Sequence, residues 1–437
     1  MLNTRAAVRS TAVFVSRFRI AVLLLFSPFF FFPAMSCWPA LLIIPALLLA
    51  RWIATGEPLP ITPLNGSLAL LLFMVLVSTF ATFDLEFSLP KIAGLLFGVV
   101  LFFAIADIPR NGAALWTALY IFCLAGVALA GIGLLGTNWI GKFPLLEGVT
   151  RHLPALIRGV PGQAEGFQPN AVGGALTMFL PLQLVVAIGP RPAWAKAYGP
   201  MSEETYRKAR FLLLLGFVFT ASVLALTQLR GAWLGLCVAA IMISMGLARR
   251  FRMVIAGAAA TIGALVSILW SRWHPDALML VVGPGFREDL AGRMELWSRA
   301  IYGIQDFAIT GMGMNTFRRV MPVLYPTFLT SPDVDVAHAH NHLLQAALDL
   351  GIPGLVAYLA IWLGSAWLLI GAYRWSGDRG TRRTTAALAA GLVAYFVFGL
   401  GDAIALGAKV GVFFWIDLAL IVVMYDVVHQ DRGDAAG

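Results

Sequence analysis

Apolar residues gather in runs of roughly 18–22, the length a helix needs to cross a hydrocarbon core of about 30 Å. The runs lie at 18–35, 37–52, 63–83, 88–108, 113–135, 171–189, 211–229, 231–248, 253–272, 354–373, 385–407 and 410–427. They predict an all-α polytopic membrane protein with about 12 transmembrane helices, because an apolar run of that length spans lipid as a helix that satisfies its own backbone. Two polar intervals between runs are long, 136–170 and 273–353. In "GRMELWSRAIYGIQDF" Met294, Trp297, Ile301 and Ile304 recur at helical spacing. The second interval therefore reads as a large helical loop subdomain, attached to one integral membrane domain over 1–437.

Composition agrees with the pattern. Hydrophobic residues make up 60% of the chain and charged ones 12%, against about 25% charged in a soluble domain. A net charge of +9 suggests nucleic acid at first sight. In a membrane protein excess Lys and Arg sets orientation instead, so no nucleic-acid partner is implied. With both termini cytoplasmic, the clusters "ARRFR" (248–252) and "RGTRR" (379–383) fall in short inside loops, and both long intervals lie outside. Arg5, Arg9, Arg17 and Arg19 precede an apolar run without a small-residue cleavage site, which reads as an uncleaved first span. Cys37, Cys123 and Cys237 all lie in apolar runs, with no disulfide framework.

The candidate chemistry falls on the outer side. Arg230 in "ALTQLRGAWLGL" sits between two spans with almost no loop. A charge at that depth is costly and marks function, or else a side chain snorkelling to headgroups. Arg287, Arg293 and Arg299 lie six apart. They read as an anion clamp, since guanidinium matches phosphate bidentately, or as a solvated face paired with Glu288, Asp289 and Glu295. "AHAHNHLLQAALDLGIPGL" (337–355) brings His338, His340 and His342 at alternate positions. Asn341 is placed to cap a helix beginning near Leu343, which sets His340 at a helix N-terminus suited to anions. Histidine also suits general-base work near neutral pH. Zinc would want further ligands; Asp333 and Asp335 stand near but complete no pattern, so neither metal nor cofactor is expected. Asp402 lies in the outer part of a span and Asp417 mid-span, as proton carriers of a transporter or as structural pairs, with Lys91 one possible partner.

Four segments, in order, resemble the bacterial O-antigen ligase and polymerase superfamily. They are "GVPGQAEGFQPNAVGGALTMFLPL" (159–182), "TQLRGAWLG" (227–235), "GRMELWSRAIYGIQDFAITGMGMNTF" (292–317) and "HAHNHLLQAALDLGIPGL". They cover about 159–355; the first five spans match only in hydrophobicity. The resemblance implies a GT-C-like membrane glycosyltransferase in the bacterial inner membrane, with a periplasmic active site. It implies two essential arginines and a histidine, which fall on Arg230, Arg293 and His340. His340 is preferred to His338 and His342 because Asn341 follows it. Arg287, His338, Asn341, Arg158 and Asn170 are the expected substrate contacts. "GMGMNTF" is not a dinucleotide fingerprint, since it follows no predicted βα unit.

The implied reaction moves a glycan from undecaprenyl diphosphate to a hydroxyl of a lipid A–core sugar, by single displacement with inversion and without metal. Preorganised arginines would take the leaving diphosphate's charge, and the histidine the hydroxyl proton. Arg287, Arg318, Arg319, Arg158 and Lys142 would widen the positive surface, though each alone reads as ordinary loop charge. A repeat-unit polymerase or protein O-oligosaccharyltransferase shares the donor. A transporter or flippase using Asp402 and Asp417 is the reading from another class. Against it stand the large outer loop and the basic and histidine residues gathered on one face.

Overall fold

A computed structural model describes residues 2–33, 40–139, 144–153, 156–160, 165–197, 203–245, 286–329 and 335–436. Its elements are α1 (Leu2–Arg17), α2 (Arg19–Phe31), α3 (Ile43–Thr55), α4 (Asn65–Ala81), α5 (Leu85–Ala106), α6 (Gly112–Gly136), α7 (Pro144–Thr150), α8 (Pro169–Ile188), α9 (Ala193–Ala197), α10 (Glu203–Leu226) and α11 (Arg230–Met245). Then come α12 (Phe286–Asp306), α13 (Phe317–Leu324), α14 (His342–Trp375), α15 (Arg379–Gly401), a 3₁₀ turn at Lys409–Gly411, and α16 (Val412–Ala436). The protein is all-helical among the described residues, apart from an isolated bridge between Thr137 and Phe167.

Each expected span lands on a helix except 253–272, which lies outside the described residues. Seven helices are long and apolar enough to cross a membrane, or eight if the pair Ala7–Arg17 and Arg19–Phe31, bent by 69°, is one span. The helices around 40–55, 65–81 and 230–244 are apolar but shorter. The count therefore stands at seven or eight by length and composition among the described residues, where about 12 were expected.

Helix starts follow local capping. Asp84 accepts from Phe87 N, Asn111 from Ala114 N, and Asp378 from Gly380 N and Thr381 N, each satisfying backbone donors that the first turn leaves over. At the centre, α16 buries Leu418 through Met424, with Trp415 among the largest fully buried side chains. A helix apolar on all sides belongs in such a core. α15 packs against α8 and α11, and α14 against α4.

Two features position the candidate chemistry. The first is the break in α14 at Gly351, with φ 72° and ψ 178°, a region open essentially to glycine alone. The segment 308–312 wedges into it: Ile352 N donates to Ala308 O at 2.7 Å, and Met312 N to Leu348 O at 2.7 Å. Pro353 follows and has no N–H to lose. The apolar run read from 354 thus begins just past this break, and α14 starts twelve residues earlier. A Cβ on Gly351 would lie 2.4 Å from Ile309 O. Gly351→Ala is expected to cost at least about 1–3 kcal/mol, read as a lower melting temperature in detergent; an unchanged one would mean that the break relaxes without penalty.

The second is the turn 402–408 between α15 and the 3₁₀ turn, in which Asp402 through Gly407 are all buried. It lies on α5, where a Cβ on Gly94 would meet Gly407 O. α12 and α13 close a small core with α14, built from Leu296, Ala300, Met312, Phe317, Met321, Ala339 and Leu348. The helical spacing read over 292–307 is met by α12. Its buried positions are Leu296 and Ala300, with Ile304 and Phe307 partly buried against them, while Met294 and Ile301 are exposed.

Candidate active site

Asn341 starts the site. Its Oδ1 accepts from Leu343 N at 2.9 Å and Leu344 N at 3.1 Å, as its expected capping role requires, and its Nδ2 donates to Leu400 O at 3.1 Å. It therefore sets the start of α14 and ties it to the end of α15, two residues before Asp402. The cap also separates the three histidines. His342 is already helical and turns into the bundle, where its Nδ1 is 2.9 Å from Tyr358 Oη and its ring meets Trp362 and Phe396. His338 and His340 stay on the preceding segment, ring centroids 4.5 Å apart.

His340 adopts φ 49°, a left-handed conformation uncommon outside glycine and held only where surroundings demand it. Its N–H donates to His338 Nδ1 at 3.2 Å, and its own Nδ1 lies 3.0 Å from Asp402 Oδ1. Asp402 comes from 62 residues downstream. Its Oδ2 accepts from Asn170 Nδ2, and Ala403 N donates to its Oδ1 at 2.8 Å. Gln345 Oε1 accepts from Ala339 N at 2.9 Å, fixing the backbone between the two histidines, while its Nε2 donates to Asp349 Oδ1 at 2.8 Å.

Burial alone would raise the Asp402 carboxyl. The hydrogen bond with His340, and the charges of His340, His338 and Arg293, outweigh it and hold the group well below the usual carboxylate range. Asp402 is thus an anion at neutral pH, and the tautomer it demands puts the His340 proton on Nδ1, leaving Nε2 as a lone pair.

Burial pushes the His338 imidazole down to about 4, against the pull of Asp402 and aided by His340, Lys91 and Arg318. Its side chain is 21% exposed. A folded pKa below the ordinary histidine value of about 6.5 means that the unfolded chain binds more protons between the two. The stability this contributes is complete above about 6.5 and is lost as pH falls towards 4, by up to about 3 kcal/mol. The melting temperature in detergent should fall over that window, and His338→Gln should flatten the fall. An unchanged slope in that variant would assign the acid sensitivity elsewhere.

The arginines divide. Arg293 Nη1 donates to Gly401 O, beside Asp402. Arg230 opens α11 and reaches Asp289 Oδ2 at 3.5 Å, one turn before Arg293 on α12. α11 packs on α15, with Gly231 against Phe398 one turn before Asp402. Arg299 instead stacks over Phe328, its Cζ 5.4 Å from the ring centroid. A spacing of six turns successive side chains by about 240° on a helix, so Arg293 and Arg299 face apart. Glu295 is spent on Phe328 N and Leu329 N.

Other expected contacts fall elsewhere. Asn170 bonds to Asp402. Arg158 is exposed on 156–160, a segment bound to Leu135 O. Arg318 pairs with Asp335 at 3.3 Å, and Arg319 with Asp84 at 3.3 Å while stacking on Phe87. The Arg287 side chain, Lys142 and Asp333 lie outside the described residues. Sequence reading missed Asp402 as the partner of His340. It stands in "GLGDAIALGAK" right after a span, but nothing local links it to a histidine 62 positions away.

Together these groups offer an oriented imidazole, a fixed carboxylate behind it and Arg293 bonded to the residue before that carboxylate. No curated protein matches the chain. A family model described as O-antigen ligase matches residues 215–359.

Proposed function

From a chain whose residues 215–359 carry an O-antigen ligase domain, and so support a place in the O-antigen ligase and polymerase superfamily, we propose an O-antigen ligase. Members of that family are membrane glycosyltransferase-like ligases and polymerases, and the family implies a lipid-linked glycan and a lipid acceptor. The proposed donor is a glycan on undecaprenyl diphosphate and the proposed acceptor a hydroxyl of a lipid A–core sugar. His340 Nε2 takes the hydroxyl proton while Asp402 holds the ring through Nδ1, the geometry by which a carboxylate orients a histidine base. The acceptor oxygen then bonds to the anomeric carbon, with inversion, as the bond from that carbon to the diphosphate breaks. Arg293 and Arg230 stabilise the leaving charge. The chemistry needs no metal.

One observation carries this reading: His340 Nδ1 lies 3.0 Å from a buried Asp402 that Asn170 also grips. The same observation disfavours transport, since a proton carrier needs a carboxyl that exchanges its proton, and Asp402 is held as the anion. Orientation supports a periplasmic site in the bacterial inner membrane, with both termini cytoplasmic. α15 begins at the basic cluster around Arg379–Arg383 and ends at Gly401, next to Asp402; in the sequence, α11 begins at Arg230 and is followed by the basic cluster 249–252. The candidate residues thus sit at the ends away from the basic clusters, as the positive-inside rule asks.

The test mixes purified protein with an undecaprenyl-diphosphate glycan and lipid A–core, with EDTA present. Glycosylated core is the expected product. Longer lipid-linked glycan with unmodified core would instead assign a repeat-unit polymerase.

A further inference from the structure

We propose that His338, His340 and Asp402 also form a site for a borderline divalent cation of the Zn²⁺ type, and that filling it switches transfer off. The inhibitory part rests on the reading of His340 as the base; the site itself does not.

The three histidines complete no metal pattern in the sequence, and the fold brings a carboxylate to two of them. His338, His340 and Asp402 each offer one ligand atom, and the three atoms lie within 4.8 Å of one another. Asp402 Oδ1 is 3.0 Å from His340 Nδ1 and 3.9 Å from His338 Nε2. Ligands about 2.0–2.1 Å from a tetrahedral zinc lie roughly 3.3 Å apart. Closing around a cation therefore asks for a shift of about 0.6 Å in the His338–Asp402 pair and of up to about 1.5 Å between the two imidazoles. Two imidazoles and one carboxylate suit zinc and its neighbours over calcium or magnesium, and leave a fourth position open. The carboxylate is fixed from behind, because Asn170 Nδ2 takes Oδ2 and leaves Oδ1 towards the rings.

Two costs keep this from being a resident cofactor site. His338 Nδ1 accepts from His340 N at 3.2 Å. Binding a cation through Nε2 moves the ring proton to Nδ1 and breaks that bond. Arg293, Lys91 and Arg318 act on the same groups and repel a cation. Binding should be reversible by a chelator. Its consequence follows from proton placement. A cation on His340 Nδ1 leaves the ring proton on Nε2, the atom that must accept the acceptor's proton, and the base is lost.

Co²⁺ is the direct probe, since its visible d–d absorption reports a low-coordinate nitrogen and oxygen site without any substrate. Tag-free full-length protein in detergent should develop this band with one equivalent bound. Zn²⁺ should displace it. His338→Gln and Asp402→Asn should each lose it while eluting as folded protein. In the transfer assay, Zn²⁺ at concentrations that fill the site should slow transfer by roughly tenfold or more, and EDTA should restore it. No band in wild type, or a band unchanged in both variants, would overturn the site. Undiminished transfer with the site filled would overturn the inhibition. A preparation that binds Co²⁺ and transfers nothing would count against the ligase reading and still support the site.

Discussion

Replacing His340 with alanine is expected to slow transfer by about 10²–10⁴-fold, the usual worth of a positioned general base. The protein should still fold and reach the membrane. The ring is 26% exposed, so little apolar burial is lost. The cap on α14 belongs to Asn341, which keeps its bonds to Leu343 N, Leu344 N and Leu400 O. Asp402 retains Asn170 and Ala403 N as partners. Asp402→Asn should fall in the same direction by a smaller factor, because an amide keeps the shape but loses the charge that stabilises a forming imidazolium. His342→Ala is the informative contrast, since that ring is shut inside the bundle against Tyr358 and Phe396. It should alter stability more than turnover. The check is the initial rate of glycan transfer per amount of folded protein. A rate within about threefold of wild type for His340→Ala would move the base to another residue, since general-base loss is worth far more.

The parts of this architecture that could be read from sequence were those encoded locally. Span positions come from apolar run length, and every run but 253–272, outside the described residues, falls on a helix. The cap at Asn341 was legible because it needs only one side chain and the next two N–H groups. In one helix the local pattern had two solutions. α12 carries two apolar stripes, and tertiary packing chose Leu296 and Ala300 over Met294 and Ile301. The choice among the three histidines rested on the Asn341 that follows His340, and the cap formed by Asn341 separates His340 from His342, which turns inward. The pairing of His340 with Asp402 and Asn170 joins three segments; no spacing rule reaches across that separation.

Arg230→Lys keeps the charge and should still slow transfer by about 10–100-fold. A charge-assisted hydrogen bond contributes about 1.5–3 kcal/mol, and lysine replaces a planar two-pronged donor with a point charge. The location makes the substitution a clean one. Arg230 is the first residue of α11, and a lysine there leaves helix propensity nearly unchanged. Its ion pair with Asp289 is 3.5 Å long, and that carboxylate is 61% exposed; such a pair adds at most about 1 kcal/mol. Asp289→Asn should therefore change transfer little, which separates loss of the pair from loss of the grip on diphosphate. The effect should also divide unevenly. If the guanidinium meets charge that develops as the diphosphate leaves, Arg230→Lys lowers kcat and kcat/KM together. If it only holds the donor, KM rises and kcat stands. Near-wild-type values of both would leave Arg230 a general positive charge beside the site, and Arg293, bonded to Gly401 O next to Asp402, as the arginine that meets the leaving group.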